Sequence, residues 1–523
     1  MYFTGRSAVH PLVRRAGGNG KVYEFLRGDG QPQHHFKRLM SNWPNTQERD
    51  PPNTQVQSID IDFIGTCAMV PSKTRNTSSL RVQIQGRSWI FDAGENTQVN
   101  FQKFGVSPQK IDKIFITHTH GDHILGLPGI LMGIKQCRDS MIKQRRDMLK
   151  FESDENTYYQ KNIPIDIYGP RGLRAYLRAF TTYTKNCFPR YRVHELHDNE
   201  HDSLFKSRRC MDEDSSIKKS SIANIENKID SKRHDERNIV ADEDGLYRLC
   251  KDDSIEVIAG RVQHTAPTYG FVLLESKRMG NVNGPLGKKI FSEHAEEIKK
   301  DIKNRDEFYG MLRKLDEDQY LEFENGNVKY SATELRSPAP PSRKITILGD
   351  CCGIDDALKD LSKNSDVLVH ELTNPGLTEL HDVLQACDDD IMRKRGHSNC
   401  SIVAEHLREL RPKRVYLNHI SQKYSEYFPV NSETGKMSVK PEFVDVIRRG
   451  IFQNLVDSKP TAEKDVYVAY DGLRISVPVD NTVVKDWQKE KGIPPRGKNM
   501  PENKYKQKAG RGFWHSIKSI FQS

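Results

Sequence analysis

The sequence lacks several features that would place it in common protein classes. It has no apolar run of about 18 residues, so no membrane-spanning helix and no membrane partner are predicted. Its nine cysteines are odd in number and form no C-x-x-C pair, which argues against a disulfide framework and a zinc ribbon. No internal repeat of about 20 to 50 residues is present, so a repeat array is excluded.

Acidic residues are absent from the first 22 positions, which contain four basic residues among apolar residues, Gly and Ser. We interpret residues 1–58 as an N-terminal extension. This composition is typical of a transit peptide, which would direct the protein to the mitochondrion or another organelle. A disordered extension is the alternative, and the protein would then act in the nucleus or cytoplasm. No apolar core of secretory-signal length occurs, so export is not expected.

Basic residues exceed acidic ones by 81 to 71, giving a net charge of +10 that favours an anionic partner. Part of this excess lies at the C-terminus, where residues 479–523 form a predicted basic tail with interleaved aromatics such as Trp487. Such a tail could add sequence-independent affinity for RNA, although a solvated tail is the commoner explanation for this composition.

Alternating strand-like and helix-like segments predict an α/β fold with two β-rich halves. Strands are predicted in "SIDIDFIG", "SLRVQI", "RSWIF", "KIDKIFIT", "IPIDIYGP", "RKITILGD", "DVLVHEL", "KRVYLNHI" and "DVYVAYDGLRISV", and helices in "RGLRAYLRAF" and "SIVAEHLREL". Two insertions interrupt the pattern. Residues 196–245 are charged and poor in aromatics, which predicts a disordered loop. Residues 276–342 show apolar residues at helical spacing among lysines, which predicts a partly helical, projecting element.

The stretch "THTHGDH", residues 117–123, concentrates metal-binding side chains directly after a predicted strand. His118 and His120 are two apart, so both imidazoles lie on one face of an extended chain. Gly121 permits a tight turn, after which Asp122 and His123 can reach a second ion. Imidazole and carboxylate ligands without thiolate suit catalytic zinc. The alternative is a set of hydrogen-bonded surface histidines.

Further ligands must come from distant parts of the chain. His264, Asp350 and His419 each follow a predicted strand. A lone histidine at a strand end is more often structural than a ligand, since imidazole also satisfies buried hydrogen bonds. All three residues share this placement at carboxyl ends, where α/β proteins collect functional loops, and this favours a metal site.

The H-x-H-x-D-H motif resembles that of the metallo-β-lactamase superfamily, and four other stretches narrow the resemblance to ribonuclease Z, the tRNA 3′-processing endonuclease. These stretches are "PSKTRNTSS" (71–79), similar to the family's P-x-K-x-R-N loop; "FDAGENTQ" (91–98); "HELTNP" (370–375); and "GHSNC" (396–400). The resemblance covers residues 59–478 and contains one superfamily-type core, as in the short form of the family. Asn96 and Asn399 depart from the family's usual Gly and Thr.

This resemblance implies an αββα sandwich with an inserted flexible arm and two zinc ions per subunit. One zinc would be held by His118, His120 and His264, and the other by Asp122, His123 and His419, with Asp350 bridging them. Asp122 would also act as proton acceptor, and His397, polarised by Glu371, would protonate the leaving 3′ oxygen. Zinc at such a site lowers the pKa of water to about 7 and stabilises negative charge developing on phosphorus.

The implied substrate is precursor tRNA, cut after the discriminator nucleotide to leave a 3′-hydroxyl for CCA addition. The resemblance assigns Lys73, Arg75 and Asn76 to the tRNA 3′ end. In the arm it assigns Gly284, Pro285, Lys288 and Lys289 to the tRNA body, where lysines can contact phosphates. An ordinary Pro/Asn turn and a solvated helix are the respective alternatives. The family's arm serves the active site of a second subunit, which implies a homodimer.

Two other functions compete with a tRNA nuclease. A thioester or lactone hydrolase of the same superfamily would explain the zinc ligands but neither the basic arm nor the loop at 71–76. A non-catalytic RNA-binding relative should have lost ligands, whereas all candidate ligands are present in this sequence.

Overall fold

The computed structural model describes residues 56, 58–149, 163–184, 188–197, 235–299, 302–315, 319–323, 327–380, 388–455 and 463–491. Most of the predicted N-terminal extension, residues 198–234 of the charged insertion and residues 492–523 of the basic tail lie outside these ranges. Within the described ranges, no helix is long and apolar enough to cross a membrane.

The strands, in chain order, are β1 (Ile59–Gly65), β2 (Ser79–Ile84), β3 (Arg87–Phe91), β4 (Ile111–Phe115), β5 (Ile165–Pro170), β6 (Tyr191–His197), β7 (Asn238–Val240), β8 (Tyr247–Lys251), β9 (Ile255–Gln263), β10 (Thr268–Glu275), β11 (Tyr320–Phe323), β12 (Val328–Ser331), β13 (Lys344–Ile347), β14 (Gly353–Ile354), β15 (Val367–Glu371), β16 (Val415–Asn418), β17 (Val466–Val468) and β18 (Arg474–Val477).

The α-helices are α1 (Thr97–Phe104), α2 (Gly121–Ile124), α3 (Leu127–Leu149), α4 (Leu173–Thr184), α5 (Gly284–Glu293), α6 (Ala295–Ile298), α7 (Arg305–Lys314), α8 (Ala332–Leu335), α9 (Asp356–Ser362), α10 (Asp389–Arg395), α11 (Cys400–Leu410), α12 (Pro441–Gln453) and α13 (Thr482–Glu490). Short 3-10 turns occur at Pro108–Lys110, Thr378–Leu380, Gln422–Tyr427 and Glu463–Asp465. The predicted strands and the two predicted helices are confirmed.

Two sheets carry the fold. The first has the strand order β18-β1-β2-β3-β4-β5-β6-β7, and the second has the order β14-β9-β10-β13-β15-β16-β17 with β8 paired to β9. The hairpin between β2 and β3 turns at Gly86, whose φ of 81° suits a residue without a Cβ. The last strand, β18, pairs antiparallel with the first, β1, so the chain closes on the sheet where it began.

Three apolar clusters define the layers. The central one joins side chains from both sheets; in it Phe91 and Phe115 stack at 4.7 Å and Phe115 meets Phe271 at 5.6 Å between ring centroids. A second cluster packs α1 to α4 on the outer face of the first sheet. A third packs α9, α11 and α12 on the outer face of the second sheet. These layers confirm the predicted αββα sandwich.

The inserted arm is a separate compact unit, Val282–Arg336. It contains α5 to α8 and the β11–β12 hairpin, which the sequence patterns did not indicate. Its own apolar cluster includes Ile290, Ile298 and Ile302, which recur at roughly helical spacing in the sequence, and Phe308. Ile290 lies in α5, Ile298 ends α6, and Ile302 follows α6.

Two predicted boundaries need correction. The insertion at 196–245 was predicted to be a disordered loop, but both of its ends contain strand residues. Leu196 lies in β6 and Ile239 lies in β7, and both side chains are buried in the central cluster. The predicted basic tail from 479 begins with a helix, α13, in which Trp487 is only 7% exposed, so this aromatic side chain is not available to stack on RNA.

Candidate metal centre

The predicted ligands follow strands of both sheets and meet at one edge of the sandwich. The stretch after β4 carries His118 and His120, and the one-turn helix α2 carries Asp122 and His123. The second sheet supplies the rest: His264 and His419 directly follow β9 and β16, and Asp350 lies three residues after the end of β13. His419 has a φ of 53°, an uncommon conformation for a non-glycine residue and one that concentrates at functional sites.

One group of ligands consists of His118, His120 and His264, whose ligand atoms lie within 4.8 Å of one another. Nε2 of His264 is 3.2 Å from Nδ1 of His120. Two nitrogens bound tetrahedrally to one zinc at about 2.0–2.1 Å would be about 3.3 Å apart. Nε2 of His118 is buried and has no hydrogen-bond partner among the described residues, as expected of a ligand atom.

The second group consists of Asp122, His123, Asp350 and His419. Nε2 of His419 lies 3.3 Å from Nε2 of His123 and 3.1 Å from Oδ2 of Asp122. Oδ2 of Asp350 is 3.3 Å from Nε2 of His419 and 3.8 Å from Nε2 of His118, so this carboxylate lies between the two groups. All seven predicted ligands are therefore brought together.

The electrostatics of the centre suit divalent cations. Burial lowers the pKa of His118 well below its usual value, which keeps a neutral lone pair available. At His123 burial acts in the same direction, but the carboxylates of Asp350 and Asp92 outweigh it and raise the pKa well above its usual value. The centre thus favours positive charge between its carboxylates, and its imidazole and carboxylate donors fit zinc.

The sequence did not reveal the groups that orient these ligands through the other ring nitrogen. Nδ1 of His123 lies 2.8 Å from Oδ2 of Asp92, and Nδ1 of His264 lies 2.6 Å from the carbonyl oxygen of Gly396. Nδ1 of His419 lies 2.9 Å from Oγ1 of Thr373. Such partners fix the tautomer, leaving Nε2 free for a metal. Asp92 and Thr373 lie in "FDAGENTQ" and "HELTNP", so those motifs were the available signal.

His397 and Glu371 form a pair beside the centre, as predicted. Nδ1 of His397 lies 3.1 Å from Oε1 of Glu371 and 3.9 Å from Oδ2 of Asp350. The Glu371 carboxylate is buried and also accepts from the backbone N–H of Ser398 and of Thr373. Burial opposes protonation of His397, but the Glu371 charge outweighs it and raises the pKa to about 9. The neighbouring carboxylate thus favours the protonated form of His397.

The two departures from the family motifs are accommodated locally. Asn96 precedes α1 with a φ of 64°, a left-handed conformation that Asn tolerates better than most residues other than Gly. Asn399 caps α11, where its Oδ1 accepts from the N–H of Ile402 at 3.0 Å. Its Nδ2 donates to Asp389 at 2.6 Å. Asn399 thus begins the helix that follows His397.

The loop at 71–76 corrects one substrate-binding assignment. The Arg75 side chain is 0% exposed, and its guanidinium donates to the carbonyl oxygens of Thr66, Ile420 and Ser421. Arg75 therefore holds the loop in place and cannot reach RNA. Asn76 is 9% exposed and its N–H donates to Asp471, whereas Lys73 is exposed and remains available to a phosphate.

The arm residues assigned to tRNA lie at the start of α5. Asn283 caps this helix by accepting from the N–H of Leu286, and Pro285, Lys288 and Lys289 are exposed. A Cβ built on Gly284 would meet nothing within 4 Å, so the surface there is open. Their accessibility is compatible with phosphate contacts, and their role remains a prediction.

A further buried group, Cys351, His370 and His406, was not indicated by the sequence. Nε2 of His370 lies 2.8 Å from Nδ1 of His406, and Nδ1 of His370 lies 2.7 Å from the carbonyl oxygen of Glu371. Both ring nitrogens of His370 are thus engaged in hydrogen bonds, which accounts for this group as part of the packing behind Glu371.

The chain is similar to several known proteins. A family model described as "Anti-Pycsar protein Apyc1" matches residues 59–144. The zinc phosphodiesterase ELAC protein 1 of Bos taurus is 32% identical over 431 residues, covering 81% of this chain and 99% of the relative. Ribonuclease Z of Streptococcus suis is 28% identical over 369 residues, covering 70% of this chain and 90% of the relative. The structure of human tRNase Z, short form, aligns with a TM-score of 0.45 and 26% identity over 80% of this chain and 99% of that one. The similarity to both curated relatives thus extends over nearly their whole length.

Proposed function

Because this chain belongs to the ribonuclease Z family of zinc phosphodiesterases, we propose how its residues carry out 3′ processing of precursor tRNA. The protein is a zinc-dependent endoribonuclease that removes the 3′ trailer. The observation that carries the assignment of residues is the convergence of seven metal-ligand side chains beside the Glu371–His397 pair. Hydrolysis after the discriminator nucleotide leaves a 3′-hydroxyl for CCA addition.

Two zinc ions per subunit fit the ligand groups. One zinc ion would be held by His118, His120 and His264. The other would be held by Asp122, His123 and His419, and Asp350 would contact both ions. Bound zinc supplies Lewis acidity, lowers the pKa of water and stabilises negative charge on a phosphoryl group.

Two side chains carry out the proton transfers: Asp122 at the attacking water and His397 at the leaving oxygen. Although burial opposes ionisation of Asp122, its hydrogen bond with His419 and the nearby His123 hold its pKa well below the usual value. Asp122 is thus an ionised acceptor for a proton of the attacking water. His397, protonated through Glu371, donates a proton to the leaving 3′ oxygen.

Substrate binding is assigned to two separate regions. Lys73 is exposed on the loop at 71–76, and we assign it to the tRNA 3′ end. Lys288 and Lys289 are exposed on the arm, and we assign them to phosphates of the tRNA body, which position RNA without reading its sequence.

We further propose a homodimer in which the arm of one subunit serves the centre of the other. Light scattering should then give twice the chain mass. Mixing Asp122→Ala subunits with arm-deleted subunits should restore cleavage, because a mixed dimer keeps one intact centre and the partner's arm. A monomer, or a mixture without activity, would contradict the proposal.

The test of function is to map, at nucleotide resolution, the products of zinc-loaded protein acting on a 3′-extended precursor tRNA. A single cut after the discriminator is expected. Asp122→Ala should abolish it while retaining tRNA binding, and Asp139→Ala, a change on the exposed side of α3, should behave as wild type. Absence of a cut by wild type would contradict the proposed function. A cut by Asp122→Ala would contradict the role assigned to Asp122.

A further inference from the structure

An exposed apolar side chain stands at the edge of the metal centre in a strained turn. Met69 is 74% exposed and has a φ of 63°. The N–H of Val70 donates to the carbonyl oxygen of Ala68 at 2.8 Å, which closes a classic γ-turn around Met69. This turn is rare and strained for residues with a Cβ.

Neighbouring contacts hold the turn in place. The N–H of Met69 donates to Oδ2 of Asp122 at 2.7 Å, the same oxygen that lies 3.1 Å from His419. Directly before the turn, the N–H of Ala68 donates to the carbonyl oxygen of Ile420, the residue after His419. The backbone of Met69 is thus tied to both sides of the second ligand group.

Glycine would form this turn with less strain, because it adopts positive φ readily. Methionine therefore adds only its side chain. That side chain is exposed, on a residue whose backbone N–H donates to the proposed catalytic carboxylate of Asp122. Val70 and Leu125 add apolar surface beside the centre, with exposures of 45% and 56%; the Leu125 side chain covers Gly121. Exposed Lys73 follows in the same loop as Met69.

We propose that Met69 is a specificity-determining residue whose thioether packs on the face of a nucleobase adjoining the scissile phosphodiester. This inference rests on the proposed function and deepens it. Methionine adapts its shape to a flat partner, and its sulfur makes favourable contacts with aromatic rings. Every nucleobase offers such a face, and Lys73 on the same loop offers a charge for a neighbouring phosphate.

Abasic substrates test the contact directly. One precursor tRNA carries an abasic nucleotide on the 5′ side of the cut and a second carries it on the 3′ side. Met69→Ala should lower kcat/KM on intact precursor about fivefold, or about 1 kcal/mol at 1.4 kcal/mol per factor of ten. The loss should disappear on one of the two abasic substrates, which identifies the contacted base. Equal losses on all three substrates, or no loss on intact precursor, would overturn the proposal.

Further variants separate the side chain from the turn. Met69→Gly should match Met69→Ala, because both lack the thioether, and Met69→Leu should recover part of the loss. Wild-type activity in Met69→Gly beside a defective Met69→Ala would show that only the turn matters. Val240→Ala, at another exposed apolar position, is the matched control. Zinc content should equal wild type in all four variants, and zinc loss confined to the Met69 variants would also overturn the proposal.

A binding measurement complements the kinetics. A precursor with a non-hydrolysable phosphonate at the cut and 2-aminopurine at the identified position reports the surroundings of that base by its fluorescence. The fluorescence of the complex should differ between wild type and Met69→Ala, and equal fluorescence would contradict the contact. A wild type that cleaves no precursor would remove the proposed function and this inference together, whereas cleavage independent of Met69 would remove the inference alone.

Discussion

Nη1 of Arg75 lies 2.9 Å from the carbonyl oxygen of Ile420, the residue that follows the ligand His419. The same guanidinium packs over the ring of Phe428 at 4.1 Å from the centroid. A single buried side chain therefore joins the loop at 71–76 to the segment carrying His419. The loop that carries exposed Lys73 is thereby held in a fixed position relative to that ligand.

Arg75→Met should destabilise the fold by about 3 kcal/mol, because it removes three hydrogen bonds that the buried guanidinium donates to carbonyl oxygens, together with its packing on Phe428. Chemical denaturation of the zinc-loaded protein measures this change. Lys73→Met in the same loop should stay within about 0.5 kcal/mol of wild type while weakening tRNA binding. Similar stabilities of the two variants would show that the buried guanidinium contributes little.

Excision of the arm should weaken precursor binding far more than hydrolysis of a small phosphodiester. The ends to be joined are close, since the N–H of Ser337 donates to the carbonyl oxygen of Asn281 and the N–H of Asn281 donates to Oγ of Ser337, both at 2.8 Å. Replacing Val282–Arg336 with a short Gly-Ser linker therefore leaves both sheets intact. Equal losses on the two substrates would argue that the arm supports the fold of the centre.

Glu371→Gln should shift the alkaline limb of the pH–rate profile to lower pH. The Glu371 charge is what raises the pKa of His397 to about 9 against burial, so removing it lowers that pKa. His397 then loses its proton, and the rate falls, at a lower pH. Glu379→Gln serves as control, because it makes the same change at an exposed glutamate in the segment that follows Glu371. An unmoved limb would exclude His397 as the acid.

Asp471 should make stability depend on pH between about 4 and 6. Burial raises the pKa of Asp471 to about 6, although its carboxylate accepts from Thr66, Asn76 and Asn100. The folded state therefore binds this proton more tightly than the unfolded state, and the free energy of unfolding falls by about 2 kcal/mol as pH rises through this window.

The difference in unfolding free energy between wild type and Asp471→Asn isolates this effect, because other titrations are common to both. Wild type should lose about 2 kcal/mol relative to the variant from pH 4 to pH 6.5. Above that range the difference should be constant. A difference that stays constant, or rises with pH, would contradict the raised pKa.

Local sequence patterns were sufficient to predict the strands and the ligands of the metal centre that lie in "THTHGDH". Apolar alternation located β1 to β5, and His118 and His120 share a face because residues two apart in an extended chain point the same way. The distant ligands were identified because His264, Asp350 and His419 also follow apolar strands. Composition likewise separated the arm from the sandwich, since its lysine-rich helical spacing interrupts a β pattern.

Only the tertiary structure decided which way individual side chains point and which elements meet. Arg75 lies in a basic loop that resembles a substrate site, yet it turns inward and donates to carbonyl oxygens that are 345 and 346 residues away. The partners Asp92 and Thr373, the closure of β18 on β1 and the turn at Met69 depend equally on contacts between distant segments. Periodicity records burial along one segment, whereas these contacts are set by how segments pack together.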